Sequence, residues 1–302
     1  MCAHQRDLTH RKEPIVYEPG RQTKGNYAIF AVPNWSEGGN EPIMKQRSLV
    51  PMRYGEYVAL VGCAVAVAVY AFWQGTEGLG LFANWGLIAY MGTASLVGIG
   101  TYLNLGGSKM TNISLGYSLG LLSWLMGLSI YTYAYFVAGT ELPYLSIADV
   151  FYLLSYPAWI LGAVGMLRLS GRGTRTAGWL AVAAVGAVLY ILIIVYVIPA
   201  SVSGLESPME AFVTALYPTL DVAFFLLTLA FFVVFRGGIF EKAFAFMALG
   251  AMLFALGDLL YAVLSVTGLY YDGHPMDLLL FLGCVSAGYG FWRQHAELVK
   301  LK

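Results

Sequence analysis

The sequence predicts an all-α integral membrane protein with eight transmembrane helices, built as a parallel 4+4 internal repeat. Three observations carry this reading. Of 302 residues, 59% are hydrophobic and only 11% charged, where a soluble domain carries roughly 25% charged. Eight segments are apolar over about the 20 residues that a helix needs to cross a hydrocarbon core. With eight crossings, every lysine and arginine falls on one side. The mean hydropathy, +0.68, excludes a water-soluble enzyme. The 17 basic and 17 acidic residues cancel, so bulk charge implies no nucleic-acid partner.

Residues 1–53 form a polar tail rich in Gly, Pro and Glu, with apolar islands at 27–32 and 43–44. Its composition fits a flexible or surface-lying extension, or a docking segment for a cytoplasmic partner. It lacks an apolar core with a small-residue cleavage site, so the first hydrophobic helix is expected to direct insertion. The spans follow at about 54–73, 81–103, 113–137, 147–169, 177–198, 209–235, 243–267 and 276–292. Turn chemistry separates them: Gly106-Gly107, residues 139–143, 171–173 and 199–208, Gly237-Gly238, and residues 273–275. The loops are short, so sequence neighbours should pack as antiparallel hairpins. Residues 293–302 are expected to be a short cytoplasmic C-terminus.

Orientation follows the lysines and arginines. Eight precede span 1, from Arg6 to Arg53. Lys109 follows span 2, and Arg168, Arg172 and Arg175 end span 4. Arg236 and Lys242 follow span 6, and Arg293, Lys300 and Lys302 follow span 8. The opposite loops carry Glu77, Glu141, Glu206, Glu210, Asp272 and His274. The expected location is the cell membrane, with both termini cytoplasmic and lipids as the surrounding partner.

A shift of about 128 residues aligns the halves 54–169 and 177–292. Asp149 falls on Asp277, Tyr133 on Tyr261, and Tyr90 near Tyr217. Units with an even number of spans repeat in parallel, which weighs against the inverted repeats of many transporters.

Chemistry concentrates in four acids within or at the edge of spans: Asp149, Asp221, Asp258 and Asp277. An ionisable group there faces the bundle interior or a cavity by default. No lysine or arginine lies at the same depth. At about 1.5 Å per residue, Asp221 lies about 18 Å and Asp258 about 14 Å from the outer ends of their helices, with Asp149 and Asp277 near the outer surface. Tyrosines recur three or four residues away, on the same helix face: Tyr152 beside Asp149, Tyr217 beside Asp221 and Tyr261 beside Asp258. A phenol donates to a carboxylate, so each acid is expected to carry its own partner. Tyr156-Pro157 and Tyr217-Pro218 add interior prolines, which free a backbone carbonyl beside a cavity or hinge.

Two readings of this Asp/Tyr set stay open. One is an interhelical network that fixes packing, at about 0.6 kcal/mol per bond. The other is an outward-facing pocket among spans 4, 6, 7 and 8 for a proton, cation or small polar ligand. Gly116 and Gly120 form a GxxxG pair on span 3, which suits close helix approach. Trp73, Trp85, Trp179 and Trp292 lie near span ends, as an interfacial belt requires. Cys2, Cys63 and Cys284 show no disulfide or zinc spacing. No histidine lies in an apolar span to ligate haem. No nucleophile–base pair or phosphate loop is visible, so neither an enzyme nor a cofactor is expected.

The stretch Ser146-Ile-Ala-Asp-Val-Phe-Tyr-Leu-Leu-Ser-Tyr-Pro157 resembles the signature of multi-helix membrane input regions that precede diguanylate cyclase, phosphodiesterase and histidine kinase modules. Leu216-Tyr-Pro-Thr-Leu-Asp221, Gly257-Asp-Leu-Leu-Tyr261, Gly268-Leu-Tyr and Met276-Asp-Leu-Leu279 resemble later parts of that pattern. The resemblance covers about 113–292 and implies a sensory or ligand-binding membrane module. No output module follows span 8 in these residues, so the signal would pass to a separate cytoplasmic protein. A proton- or cation-coupled transporter and a structural subunit of a larger membrane complex are the alternatives.

Overall fold

In lipid, each backbone N–H and C=O must be satisfied within its own segment, and the apolar stretches meet that demand as helices. The computed structural model describes residues 52–140, 142, 145–169, 176–203, 205, 207–234 and 240–301, and among them all regular structure is helical. Helix α1 is Met52–Phe72, α2 is Glu77–Leu105 and α3 is Lys109–Ala138. Helix α4 is Ile147–Leu169, and α5 runs from Thr176 to Val202. Helix α6 is Pro208–Val234, α7 is Glu241–Val266 and α8 is Asp277–Leu301. Single π-helical turns interrupt α2 at Phe82–Gly86, α3 at Tyr133–Ala138 and α5 at Ile193–Val197. Pro157 and Pro218 stand inside α4 and α6. The readings of the tail before residue 52, and of Glu141, Glu206, Arg172, Arg175 and Arg236, fall outside the described residues.

Seven of these helices, α1 to α7, are long and apolar enough to cross a membrane. The eighth, α8, differs from the expectation. The helix does not end near Trp292 but continues to Leu301, so residues 293–301, expected as a short C-terminus after the span, are helical. The extension is held by its own polar residues. Arg293 pairs with Glu297 at 2.9 Å and with Glu56 of α1 at 3.6 Å, and Lys300 pairs with Glu297 at 3.0 Å. Gln294, fully buried, meets the Ser114 hydroxyl and donates to the Met110 carbonyl at 2.8 Å. Apolarity alone ended the expected span too early, because a helix shielded by protein can carry polar groups that a lipid-facing one cannot.

Six helices close a ring: α2 packs on α3, α3 on α4, α4 on α6, α6 on α7, α7 on α8, and α8 on α2. Helix α1 joins through α8, and α5 through α6. Outward faces carry large apolar side chains such as Phe72, Leu96, Leu103 and Leu161, suited to lipid. Small residues let ring helices touch. A Cβ on Gly250 would sit 2.6 Å from the Gly283 carbonyl oxygen and 2.7 Å from the Ala287 nitrogen, so α7 and α8 meet backbone to backbone. The Gly116–Gly120 pair serves α4: a Cβ on Gly120 would strike the Trp159 ring, and one on Gly116 the Ala158 carbonyl.

The ring's middle is filled. Trp159 stacks on Phe224 at 5.1 Å and meets Phe254 edge-on at 5.2 Å, and its indole N–H donates to the Tyr117 carbonyl at 3.3 Å. The cavity left between Tyr117, Trp159, Phe224 and Phe254 is about 10 Å³, room for one water at most.

The chain alternates direction, so Met52, Lys109, Leu169, Lys242 and Leu301 mark one end of the bundle, and Phe72, Ile147, Pro208 and Asp277 the other. The described cations Lys109, Arg168, Lys242, Arg293 and Lys300 all lie toward the first, basic end.

Gly250→Leu is expected to destabilise the bundle by about 1–3 kcal/mol through overpacking. Gly100→Ala, where a Cβ meets nothing within 4 Å, should be neutral. Detergent-induced unfolding of the two variants beside wild type checks this.

Candidate functional site

The site is built in layers along α4, α6 and α7. Helices α4 and α6 run through the ring in one direction and α7 in the other, so one turn along each reaches the same depth. Trp159, Phe224 and Phe254 make the aromatic plug. One turn further from the basic end stand Tyr156 on α4, Asp221 on α6 and Asp258 on α7. Another turn out stand Tyr152, Tyr217 and Tyr261, and Asp149 lies at the rim.

Tyr156 and Asp221 are closed off, at 2% and 3% exposure, and the Tyr156 phenol donates to Asp221 Oδ1 at 2.6 Å. Asp258 lies near enough for its charge to interact with both Asp221 and Tyr156. Its Oδ2 is buried without a hydrogen-bond partner. The ion pairs among the described residues lie at the far end of α8, so no cation pairs with either acid. At the rim, the Tyr217 phenol donates to Asp149 Oδ1 at 2.8 Å. Asp149 Oδ2 accepts from the Ser146 backbone N–H at 2.8 Å, while Ser146 Oγ accepts from the Ala148 N–H at 3.2 Å. This caps α4, because a first-turn carboxylate satisfies an N–H that the helix leaves orphaned. The Tyr152 phenol lies between the two layers, within electrostatic reach of Asp149, Asp258 and Tyr261.

The structure therefore gathers seven of the eight expected residues: Asp149, Tyr152, Tyr156, Tyr217, Asp221, Asp258 and Tyr261. It corrects the expected pairing, because the hydrogen bonds to Asp149 and Asp221 come from neighbouring helices. A phenol is long enough to cross to the next helix, and ring packing aims it there. Asp277 makes its hydrogen bonds apart from these seven. Asp277 begins α8 on the other side of the ring. Its Oδ2 accepts from the Gly273 N–H at 3.1 Å and its Oδ1 from the Tyr270 phenol at 3.3 Å. Tyr270 meets Tyr261 edge-on at 4.7 Å, which joins the two groups at the surface.

Around Asp277 lie residues that sequence reasoning passed over. Asn84, buried in the first π-helical turn, donates to the Gly80 carbonyl at 3.1 Å and has Asp272 Oδ1 at 3.5 Å. Gly273 takes φ +85° and lies against Leu79 and Gly80, which presses the α7–α8 loop onto the start of α2. A polar Asn within an apolar span was the visible signal. Asp272 is a loop residue whose carboxyl is pushed above the usual carboxylate range by burial, partly offset by the Asn84 amide.

Among the described residues, no three His, Cys, Asp or Glu side chains converge as a metal-binding group. Comparison with protein families, with curated proteins and with solved structures finds no match to this chain.

Removing the phenol hydroxyl in Tyr156→Phe leaves Asp221 without that donor and should cost on the order of 1–3 kcal/mol. Tyr217→Phe, at the half-exposed rim, should cost less. Unfolding curves of both variants decide. Asp272 gives a pH test. Its raised value in the fold means that its favourable contribution is present below the unfolded value of about 3.9 and is lost as pH rises through the folded one. In EDTA, Asp272→Asn should therefore melt higher than wild type at neutral and alkaline pH, and gain nothing in acid.

Proposed function

We propose that this chain is a proton-responsive membrane sensor whose buried Asp221–Asp258 pair takes up and releases a proton. The observation that carries the reading is the unpartnered carboxylate oxygen of Asp258 beside the Tyr156-bonded Asp221. Two acids this close, away from water and without a cation, resist being ionised together. A proton shared between them satisfies the orphaned oxygen, and its loss drives α6 and α7 apart. The layering supports access from the acidic side: Asp149, Tyr217, Tyr152 and Tyr261 lead inward, and the aromatic plug blocks the way onward. That asymmetry favours sensing over carriage.

The same proposal takes α8 as the eighth crossing, in a cell membrane, with the basic end cytoplasmic as the distribution of Lys and Arg requires. Its ion pairs with α1 support this. It also takes the ring as a parallel repeat. Helices α2–α3–α4 and α6–α7–α8 follow one another in the same neighbour order, and Asp149 and Asp277 receive matching backbone and phenol donors. Helices α1 and α5 stand at non-equivalent places, on α8 and on α6. The motif that carries the resemblance to sensory input regions, residues 146–157, supplies Asp149, Tyr152 and Tyr156. A separate cytoplasmic partner would receive the signal at the basic end.

Trp159 lies against Tyr156, with ring centroids 5.8 Å apart, and reports on the pair. In liposomes, tryptophan fluorescence should show a pH transition that Asp221→Asn, Asp258→Asn and Trp159→Phe each abolish. No proton flux should accompany it. A transition unchanged in both Asn variants contradicts the proposal, and a flux that requires Asp221 favours a transporter.

A further inference from the structure

The acidic end of the bundle carries a second arrangement that the buried pair does not use. Asp272 and Asp277 lie within electrostatic reach of each other, and among the described residues no ion pair neutralises them. The Tyr70 phenol of α1 lies within electrostatic reach of both acids. Tyr70 is 4% exposed, its hydroxyl is buried without a hydrogen-bond partner, and it feels both carboxyl charges. Its ring lies edge-on to Phe82 and Phe281. Asn84 spends its amide N–H groups on Gly80 and towards Asp272, which leaves its carbonyl oxygen to accept. His274 Nδ1 accepts from the Met276 N–H at 3.2 Å. The elements packed here are α1, α2, the α7–α8 loop and the start of α8. They present two carboxylates, an amide oxygen and two phenols, all hard oxygen donors, and an orphaned buried hydroxyl among them.

We infer that this end of the bundle binds a calcium-like divalent cation through Asp272, Asp277, Asn84 Oδ1 and the Tyr70 hydroxyl. Calcium takes six to eight oxygens in flexible geometry and keeps waters in open positions. Two carboxylates match its charge, and the oxygen donors of the four named groups suit calcium rather than a transition metal. The cation would pin α1 and α2 to the α7–α8 loop. This inference does not depend on the reading of Asp221 and Asp258.

The test uses the purified full chain, stripped with EDTA and titrated with calcium chloride, reading heat of binding and melting temperature. One saturable equivalent and a raised melting temperature are expected. Asp272→Asn should weaken binding about tenfold or more, since affinity follows the count of charged ligands, and Tyr70→Phe should weaken it less. Gly100→Ala, toward the basic end of α2, should bind as wild type does. Absence of saturable binding, an undiminished response in Asp272→Asn, or an equal response to sodium at matched ionic strength overturns the inference and leaves only water at the Tyr70 hydroxyl.

Discussion

A carboxyl group inside a ring of apolar helices needs a donor, and the Tyr156–Asp221 hydrogen bond supplies one across the α4–α6 contact. Much of the site follows from it. The bond fixes the rotation of α4 against α6, and that rotation places Trp159 on Phe224 one turn away. The stacked pair then meets Phe254 and sets the depth of α7, which brings Asp258 up to Asp221. The same geometry leaves one Asp258 oxygen unsatisfied. Buried polar atoms without partners are few in native structures and call for an explanation. In the function proposed above, a proton is that explanation.

Helix α8 shows the complementary rule. It packs on α1, α2 and α7, and so tolerates Gln294, Glu297 and Arg293, which lipid would reject. Its two ends are anchored differently. At the basic end, ion pairs and Gln294 bind it to α1 and α3. At the other, Asp277 holds its own cap through Gly273 and Tyr270. The ring thus closes on its least apolar member, while exposed apolar side chains cover α1, α5 and the outer faces of the other ring helices.

Much of the fold could be read from composition and periodicity, because a lipid environment leaves helices as the economical solution for long apolar segments. Each predicted apolar segment contains a helix, seven of them long and apolar enough to cross a membrane, and α4 matches residue for residue. The end of α8 was missed because hydropathy measures lipid compatibility, and this helix is shielded by protein. In the site, seven residues were nameable from helical spacing, since acids without cations turn inward. Their partners were not, because spacing along one helix says nothing about which neighbour it faces. Tyr217 and Tyr156 reach across helices, and Asp277 sits apart because α8 lies beside α2 and α7, away from α4. Tyr70 gave little signal, since a lone Tyr in an apolar run marks a polar contact only once the facing loop is known.

The central claim is that a proton resides between Asp221 and Asp258 when Tyr156 donates to Asp221. Infrared spectroscopy of the reconstituted protein, with isotope-labelled aspartate, tests this most directly. The account predicts a protonated-carboxyl stretch at neutral pH that disappears in Asp258→Asn and shifts in Tyr156→Phe. A spectrum at neutral pH with every aspartate ionised would contradict it.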